Sequence, residues 1–347
     1  MLLGAAIGLL LGAPGDVAVE HAAVVRRAKD LMHTKVVITV ANAKLDDALN
    51  EAFDAAFGVF AHLEGTMNEW REDSPILRIN AAAGGEPVEA SADLCALLKL
   101  SLDGARRTNG LYDPTWAALK DVWTFTGAVE QALPDPEKVK AACALVSYKD
   151  VELKPKPKGE CTVRLKKKGM GLGLYGIVKA WGIDQAGKEL HKRSHHDFFV
   201  QVGGDVYVSG KNGEHGWKVG IREPRGAPES SFARGELSDA AFSTLGDYER
   251  FFMNAGTRYH QVLDLRSCRP ATASVSSTVM AKSAVEAAML AQATFVLGGD
   301  EGLKLAKTQG ASAVIVDTKG ALHASEELKG KLELWPPGGF GKDAGAD

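Results

Sequence analysis

Apolar residues recur at helical spacing through Leu45, Leu49, Phe53, Phe57, Phe60 and Leu63. This spacing predicts one amphipathic helix with a single buried stripe, capped by Asn42. Ahead of it, residues 36–40 are β-rich and predict a strand. Ser91 opens a second helix that ends near Asn109-Gly110, a pair suited to a C-cap. Residues 133–144 read as a short surface helix. Residues 151–153 and 162–165 read as a hairpin joined by a Lys/Pro/Gly segment. A further helix ends near Lys192. After it the chain turns strand-rich, with runs at 198–202, 206–208, 217–221, 240–244, 259–263 and 274–279. Residues 281–297 form an Ala-rich helix, 301–308 a shorter one, and 313–316 a last strand. Gly and Pro dominate after Trp335, which predicts a disordered tail.

The 347 residues allow one large domain or two small ones. No repeat or linker divides them. A net charge of −3 supplies no general drive towards nucleic acid or an anionic membrane. Lys154, Lys156, Lys158, Arg164, Lys166, Lys167 and Lys168 read as a solvated hairpin. Cys95, Cys143, Cys161 and Cys268 are far apart and lack CxxC spacing. Neither a zinc site nor a disulfide framework is indicated. His191 and His195 have the HxxxH spacing of metal ligands. They sit where a helix is ending, beside Lys192 and Arg193, and read as C-terminal cations.

Residues 2–13 are apolar, too short for a membrane span and about right for a signal-peptide core. Residues 1–30 therefore read as a leader or disordered tail, 31–330 as the domain, and 331–347 as a disordered tail. A working leader implies an exported or periplasmic protein, and a non-functional one a cytoplasmic protein.

Residues 170–184 read MGLGLYGIVKAWGID. Gly169, Gly171, Gly173 and Gly176 allow close backbone approach, and a glycine turn feeding a helix start suits a phosphate. A glycine turn without a ligand fits the same letters. Residues 63–80 mix Trp70, Arg71 and Asp73 without periodicity, as functional loops often do. In residues 110–125, Tyr112, Trp116 and Trp123 fit either a wall for a flat ring or core packing, and Trp123 reads as core.

The order of these segments resembles the FAD:protein FMN transferases, the ApbE-type flavin transferases, from Met32 to Val316. The carrying residues are Met32-His33-Thr34, Met67-Asn68-Glu69-Trp70 with Asp73-Ser74 and Leu77-Arg78-Ile79-Asn80, and Gly110-Leu111-Tyr112-Asp113-Pro114-Thr115. Gly203-Gly204-Asp205 and Thr244-Leu245-Gly246-Asp247-Tyr248-Glu249-Arg250 follow. The resemblance implies a single α+β, T-fold-like domain with mixed or antiparallel sheets and flanking helices.

It also implies an activity. Such enzymes take FAD as substrate with magnesium, move FMN to a Thr or Ser hydroxyl of an acceptor flavoprotein, and release AMP. The resemblance places Met32, Trp70, Leu111, Tyr112, Asp113, Tyr175, Trp181 and Val262 at flavin contacts. Asp264, Asp205 and Lys179 stand as catalytic groups. On the metal side, the Val178 carbonyl carries over, the family Asp falls on Ala288, and the family Thr falls on Gln292. Glu286 is two residues from Ala288, about 200° round a helix, and does not replace it. A metal would need relocated ligands such as Asp205 or Asp264. The family His falls on Gln261, and neighbouring His260 points the other way on a strand. Alternatives to a transferase are a flavin-binding or scaffold paralogue without the metal site, and an FAD hydrolase.

Overall fold

The computed structural model describes residues 24–69, 71, 73–127, 129–227 and 229–338. The chain opens with a hairpin of β1 (Val25–Leu31) and β2 (Thr34–Val40). Met32 and His33 form its two-residue turn with φ of 52° and 56°. Two consecutive positive φ values match the twist of a tight hairpin. Next come α1 (Asp47–Met67), α2 (Pro75–Ala81), β3 (Val88–Ala90) and α3 (Ala92–Arg107). Then follow α4 (Pro136–Cys143), the β4 (Val151–Pro155) and β5 (Cys161–Leu165) hairpin, and α5 (Tyr175–Lys192).

The strand-rich part comprises β6 (Phe198–Val202), β7 (Asp205–Ser209), β8 (Trp217–Arg222), β9 (Ser231–Leu237), β10 (Ala240–Gly246), β11 (Phe251–Asn254) and β12 (Thr257–His260). Two short strands, β13 (Leu263–Asp264) and β14 (Arg269–Pro270), precede β15 (Ser274–Ala281). The chain closes with α6 (Ala284–Leu297), α7 (Gly299–Thr308), β16 (Ser312–Asp317), β17 (Leu322–Ala324) and β18 (Leu332–Leu334).

An eight-stranded sheet runs in the order β1-β2-β6-β7-β10-β15-β16-β17, with every neighbouring pair antiparallel. Strand alternation divides its side chains between two cores. Phe198, Val200 and Val202 join Val36, Ile38 and Val40 beneath the helices. Phe199, Val206, Val208 and Phe242 face the small β18-β9-β8 sheet, meeting Trp217, Ile221 and Phe232. The result is an α+β protein of three layers: helices, large sheet, small sheet.

Helix α1 buries Leu49, Phe53, Phe57, Phe60 and Leu63, the stripe expected of it. It packs on α5, where a Cβ on Gly182 would lie 2.6 Å from the Phe60 ring. Helix α6 is apolar nearly all round and sits between the sheet and its neighbours, as a buried helix should.

Several expectations are corrected. Asp46, not Asn42, caps α1, with its carboxylate accepting Leu49 N–H at 2.9 Å. Asn42 takes φ 55° and donates its side-chain amide to Asp197. Leu45 lies before the helix and is 60% exposed. The predicted 259–263 strand is interrupted, because β12 ends at His260 and β13 starts at Leu263. Ordered structure also extends past 31–330 at both ends, through β1 pairing with β2 and β18 pairing with β9. Residues 1–23, including the apolar stretch 2–13, lie outside the described residues. No helix of the described residues is long and apolar enough to cross a membrane.

The cysteine expectation is overturned as well. Cys95 bonds Cys161 across 66 residues, and Cys143 bonds Cys268 across 125. Spacing along a chain carries no information about partners that tertiary folding brings together. Cys95 in the first turns of α3 meets the start of β5, and the end of α4 meets the turn between β13 and β14.

Candidate active site

The glycine stretch between β5 and α5 is held by side chains from distant segments. Asn80 brackets Leu172, donating to its carbonyl at 3.0 Å and accepting its N–H at 2.7 Å. Gly173 N–H donates to the Pro114 carbonyl at 2.8 Å, and the Gly173 carbonyl accepts Trp116 Nε1–H at 2.7 Å. A Cβ on Gly173 would sit 2.6 Å from that indole nitrogen. Gly173 is therefore required by Trp116, while Gly176 faces open space.

The start of α5 is already occupied by an acidic side chain. Glu69 accepts Leu174 N–H at 3.1 Å. Burial pushes its carboxyl up, against the N–H groups of Leu174 and Tyr175 and the Lys120 charge. These amides and the positive end of the helix dipole are the features that suit a phosphate. Here a carboxylate 105 residues upstream of Leu174 uses them, a long-range partner that local spacing does not disclose.

Met32, Tyr175, Lys179 and Asp205 form one group. Met32 is buried in the main core, and its carbonyl accepts the Tyr175 hydroxyl at 2.8 Å. The Lys179 ammonium lies 4.2 Å from the Tyr175 ring centroid. Asp205 follows the Gly203-Gly204 turn and accepts the Ser243 hydroxyl at 2.5 Å. Burial raises the Asp205 carboxyl to about 6, opposed by Ser243 and Lys179 and reinforced by Asp184.

Leu111, Tyr112, Asp113, Val262, Asp264 and Gln292 lie around a second centre. Leu111 and Val262 are buried with Ala293, Phe295 and Val296 of α6. The Tyr112 hydroxyl is buried, and desolvation drives its phenol far above the ordinary range. Asp113 is 3% exposed. One oxygen accepts Thr115 N–H at 2.8 Å and its hydroxyl at 2.6 Å, and the other accepts Tyr148 N–H at 2.8 Å. Asp113 thus ties the 113–115 turn to the 147–148 segment. Across from it, Arg266 donates Nε–H and Nη2–H to Asp264 at 2.9 and 2.8 Å. Partial burial pushes Asp264 up, but Arg266 outweighs it and holds the carboxyl below its usual range. A cavity of about 210 Å³ opens between these walls, lined by Asn109, Asp113, Tyr148, Lys149, Leu265 and Arg266.

Trp181 stands elsewhere. It lines a separate cavity of about 370 Å³ with Asp184, Lys188, Tyr207 and Met289. The Lys188 ammonium is 5.4 Å from its ring centroid. Asp184 accepts Ala284 N–H at 2.8 Å and Val285 N–H at 3.1 Å, capping α6. Trp70 lies outside the described residues. Trp123 is buried among Phe125, Phe252 and Tyr259.

The metal side does not fit magnesium. Ala288 has no side-chain oxygen. Gln292 donates its amide to the Leu263 carbonyl at 2.8 Å and is left with one neutral oxygen. Val178 is buried within α5, where its carbonyl takes part in the helical bonding and offers a metal at most its second lone pair. Of the relocated ligands, Asp264 has both oxygens bound by Arg266. Among the described residues, no three His, Cys, Asp or Glu side chains group as metal ligands. Magnesium favours carboxylate and water oxygens, and positions 178, 288 and 292 supply no carboxylate.

Sequence reading missed several supporting residues. Glu69, Ser243 and Arg266 were not given a role. Nor was the ion-pair network in which Arg225 donates twice to buried Asp247 at 2.6 Å and Arg258 approaches it at 3.4 Å. Arg266 stands two residues from Asp264 and was the one open to local reading.

Residues 32–316 match the ApbE family model, and the chain belongs to that family. It is 28% identical over 321 residues to the FAD:protein FMN transferase of Treponema pallidum, across 89% of this chain and 88% of the other. The ApbE protein of Thermotoga maritima superposes with a TM-score of 0.78 at 30% identity, covering 88% of this chain and 98% of that one. The flavin transferase ApbE of Vibrio cholerae, at 23% identity, shares the fold with a TM-score of 0.77 over 89% and 99% of the two chains.

Proposed function

We propose that the protein is an FAD:protein FMN transferase that acts on a Thr or Ser hydroxyl of an acceptor flavoprotein. The observation that carries this reading is the similarity to the Treponema transferase along nearly the whole of both chains. In the step, the acceptor oxygen bonds to the FMN phosphorus of FAD, the pyrophosphate P–O bond breaks, and AMP departs with the bridging oxygen. The hydroxyl proton needs an acceptor. Asp205, raised to about 6, is matched to that task near neutral pH. Asp264 is not, because Arg266 stabilises its charge, and it serves as a fixed anchor for that guanidinium. The reading carries no step through magnesium, because the residues at the family's metal positions do not fit it.

We also read the protein as exported. Two disulfides support this, since such bonds persist in oxidising compartments.

The test is incubation with FAD and a flavoprotein domain carrying a Thr or Ser flavinylation site. The expected result is covalent flavin on the acceptor, seen as in-gel fluorescence and an FMN-sized mass increase. FAD binding without any covalent product would overturn transfer and leave the flavin-binding paralogue.

A further inference from the structure

We infer that the Cys143–Cys268 disulfide is a positioning device that sets the spacing of the two walls of the 210 Å³ cavity, and that its reduction weakens flavin binding there. The inference rests on the proposed function for the ligand's identity, and on geometry alone for the positioning.

Each cysteine belongs to one wall. Cys143 ends α4, and the chain leaving α4 runs directly into the segment held by the first wall. Ser147 N–H donates to Thr115 Oγ1 at 2.8 Å, and Tyr148 N–H donates to Asp113 at 2.8 Å. Cys268 closes the turn that carries the second wall. Its N–H donates to the Asp264 carbonyl at 2.7 Å, and its own carbonyl accepts Trp123 Nε1–H at 2.8 Å. The same turn presents Leu265 and Arg266 to the cavity. It is stitched to Val262 by Ala271 N–H at 2.9 Å, and to α6 through Gln292 on the Leu263 carbonyl.

Cys268 stands at φ 55°, in the left-handed region that favours glycine. A left-handed residue is needed to turn the chain, and glycine supplies it at the lowest cost. Cysteine here gives up that ease and gains a covalent link 125 residues back. The other disulfide, Cys95–Cys161, joins α3 to β5 and touches neither wall, so it serves as an internal control. Reduction by an external dithiol would deliver two electrons and two protons, break the S–S bond, and leave two thiols and an oxidised dithiol.

The test compares three forms of the full chain: wild type, C143S/C268S and C95S/C161S, each confirmed folded by circular dichroism. A fourth, C143S/C268G, restores the turn's preferred residue without the tether. Calorimetric titration of FAD should show affinity lowered about tenfold in C143S/C268S and in C143S/C268G, and changed less than about twofold in C95S/C161S. Hydrogen exchange should quicken in segments 145–150 and 262–271 of C143S/C268S and C143S/C268G only. Equal weakening in all variants, or recovery in C143S/C268G, would overturn the inference in favour of a general structural role. Should wild type bind no FAD, exchange decides alone. Faster exchange confined to the two segments keeps the positioning and removes the proposed ligand, and unchanged exchange overturns the positioning.

Discussion

Glu69 places its carboxylate on the amide of Leu174 at 3.1 Å, at the mouth of α5. The helix therefore begins with its dipole already compensated from within the protein. Glu69→Ala removes the acceptor and leaves the first-turn amides to water. The expected cost is about 1 kcal/mol, the usual worth of a capping interaction, read as a lower urea midpoint with an unchanged slope. A midpoint equal to wild type would show that burial of the carboxylate cancels the cap.

Gly173 and Gly176 sit three residues apart in one stretch and should respond in opposite directions. An added methyl at 173 meets the Trp116 indole. Gly173→Ala should destabilise by about 1–3 kcal/mol through overpacking. Gly176 is exposed within the first turn of α5 with nothing near its Cβ position. Gly176→Ala should stabilise by about 0.5–1 kcal/mol. Thermal unfolding of both variants checks the pair, and a loss at 176 would contradict the open environment.

Asp247 lies buried against Arg225 and Arg258. Its removal takes the buried carboxylate away from two partly buried guanidinium groups. Asp247→Ala should cost about 3 kcal/mol or more, the range for breaking a buried pair by one partner. Arg258→Ala should cost less, because Arg258 is more exposed and the Arg225 pair survives. Chemical denaturation of both variants reads the order, and a reversed order would mean that Arg258 is the stronger partner.

These examples show what could be read from the letters. Local periodicity revealed the buried stripe of α1 and the cap at Ser91, because both depend on neighbours within a turn or two. Glu69 on α5, Asp184 on α6 and both disulfides were not, since each joins residues about a hundred positions apart or, for Cys95–Cys161, 66. Strand β9 escaped because Arg234, Gly235 and Glu236 break the apolar pattern, and its place is fixed by pairing with β8 and β18. Charge state was also invisible. Asp205 and Asp264 look alike in sequence, and burial lifts one while Arg266 lowers the other.

Asp184 and Asp205 are both raised to about 6 by burial. An unfolded aspartate titrates near pH 4, so between about pH 4 and pH 6 the folded protein holds protons that the unfolded chain has lost. These two groups favour folding most below pH 4, and that contribution declines as pH rises to about 6. Asp205→Asn removes one of the two. Its unfolding temperature should fall less steeply between pH 4 and pH 6 than that of wild type, with a relative gain near pH 7. Parallel curves would show that Asp205 is ionised at an ordinary pH.

Ala288 and Gln292 allow the metal question to be asked by restoration. Both residues lie on α6, one turn apart, at the family's Asp and Thr positions. The double variant A288D/Q292T adds one carboxylate and one hydroxyl there, and it surrenders the Gln292 bond to the Leu263 carbonyl. Carboxylate and hydroxyl oxygens are the ligands that magnesium prefers. In wild type, FAD affinity measured by calorimetry should be the same within about twofold with magnesium or with chelator. In the double variant, magnesium should tighten FAD about tenfold or more, because metal and ligand phosphates then bind as a linked pair. A wild-type protein that already tightens with magnesium would show that oxygens other than those at 288 and 292 complete the site, and the carboxylate of Asp205 would be the first to replace.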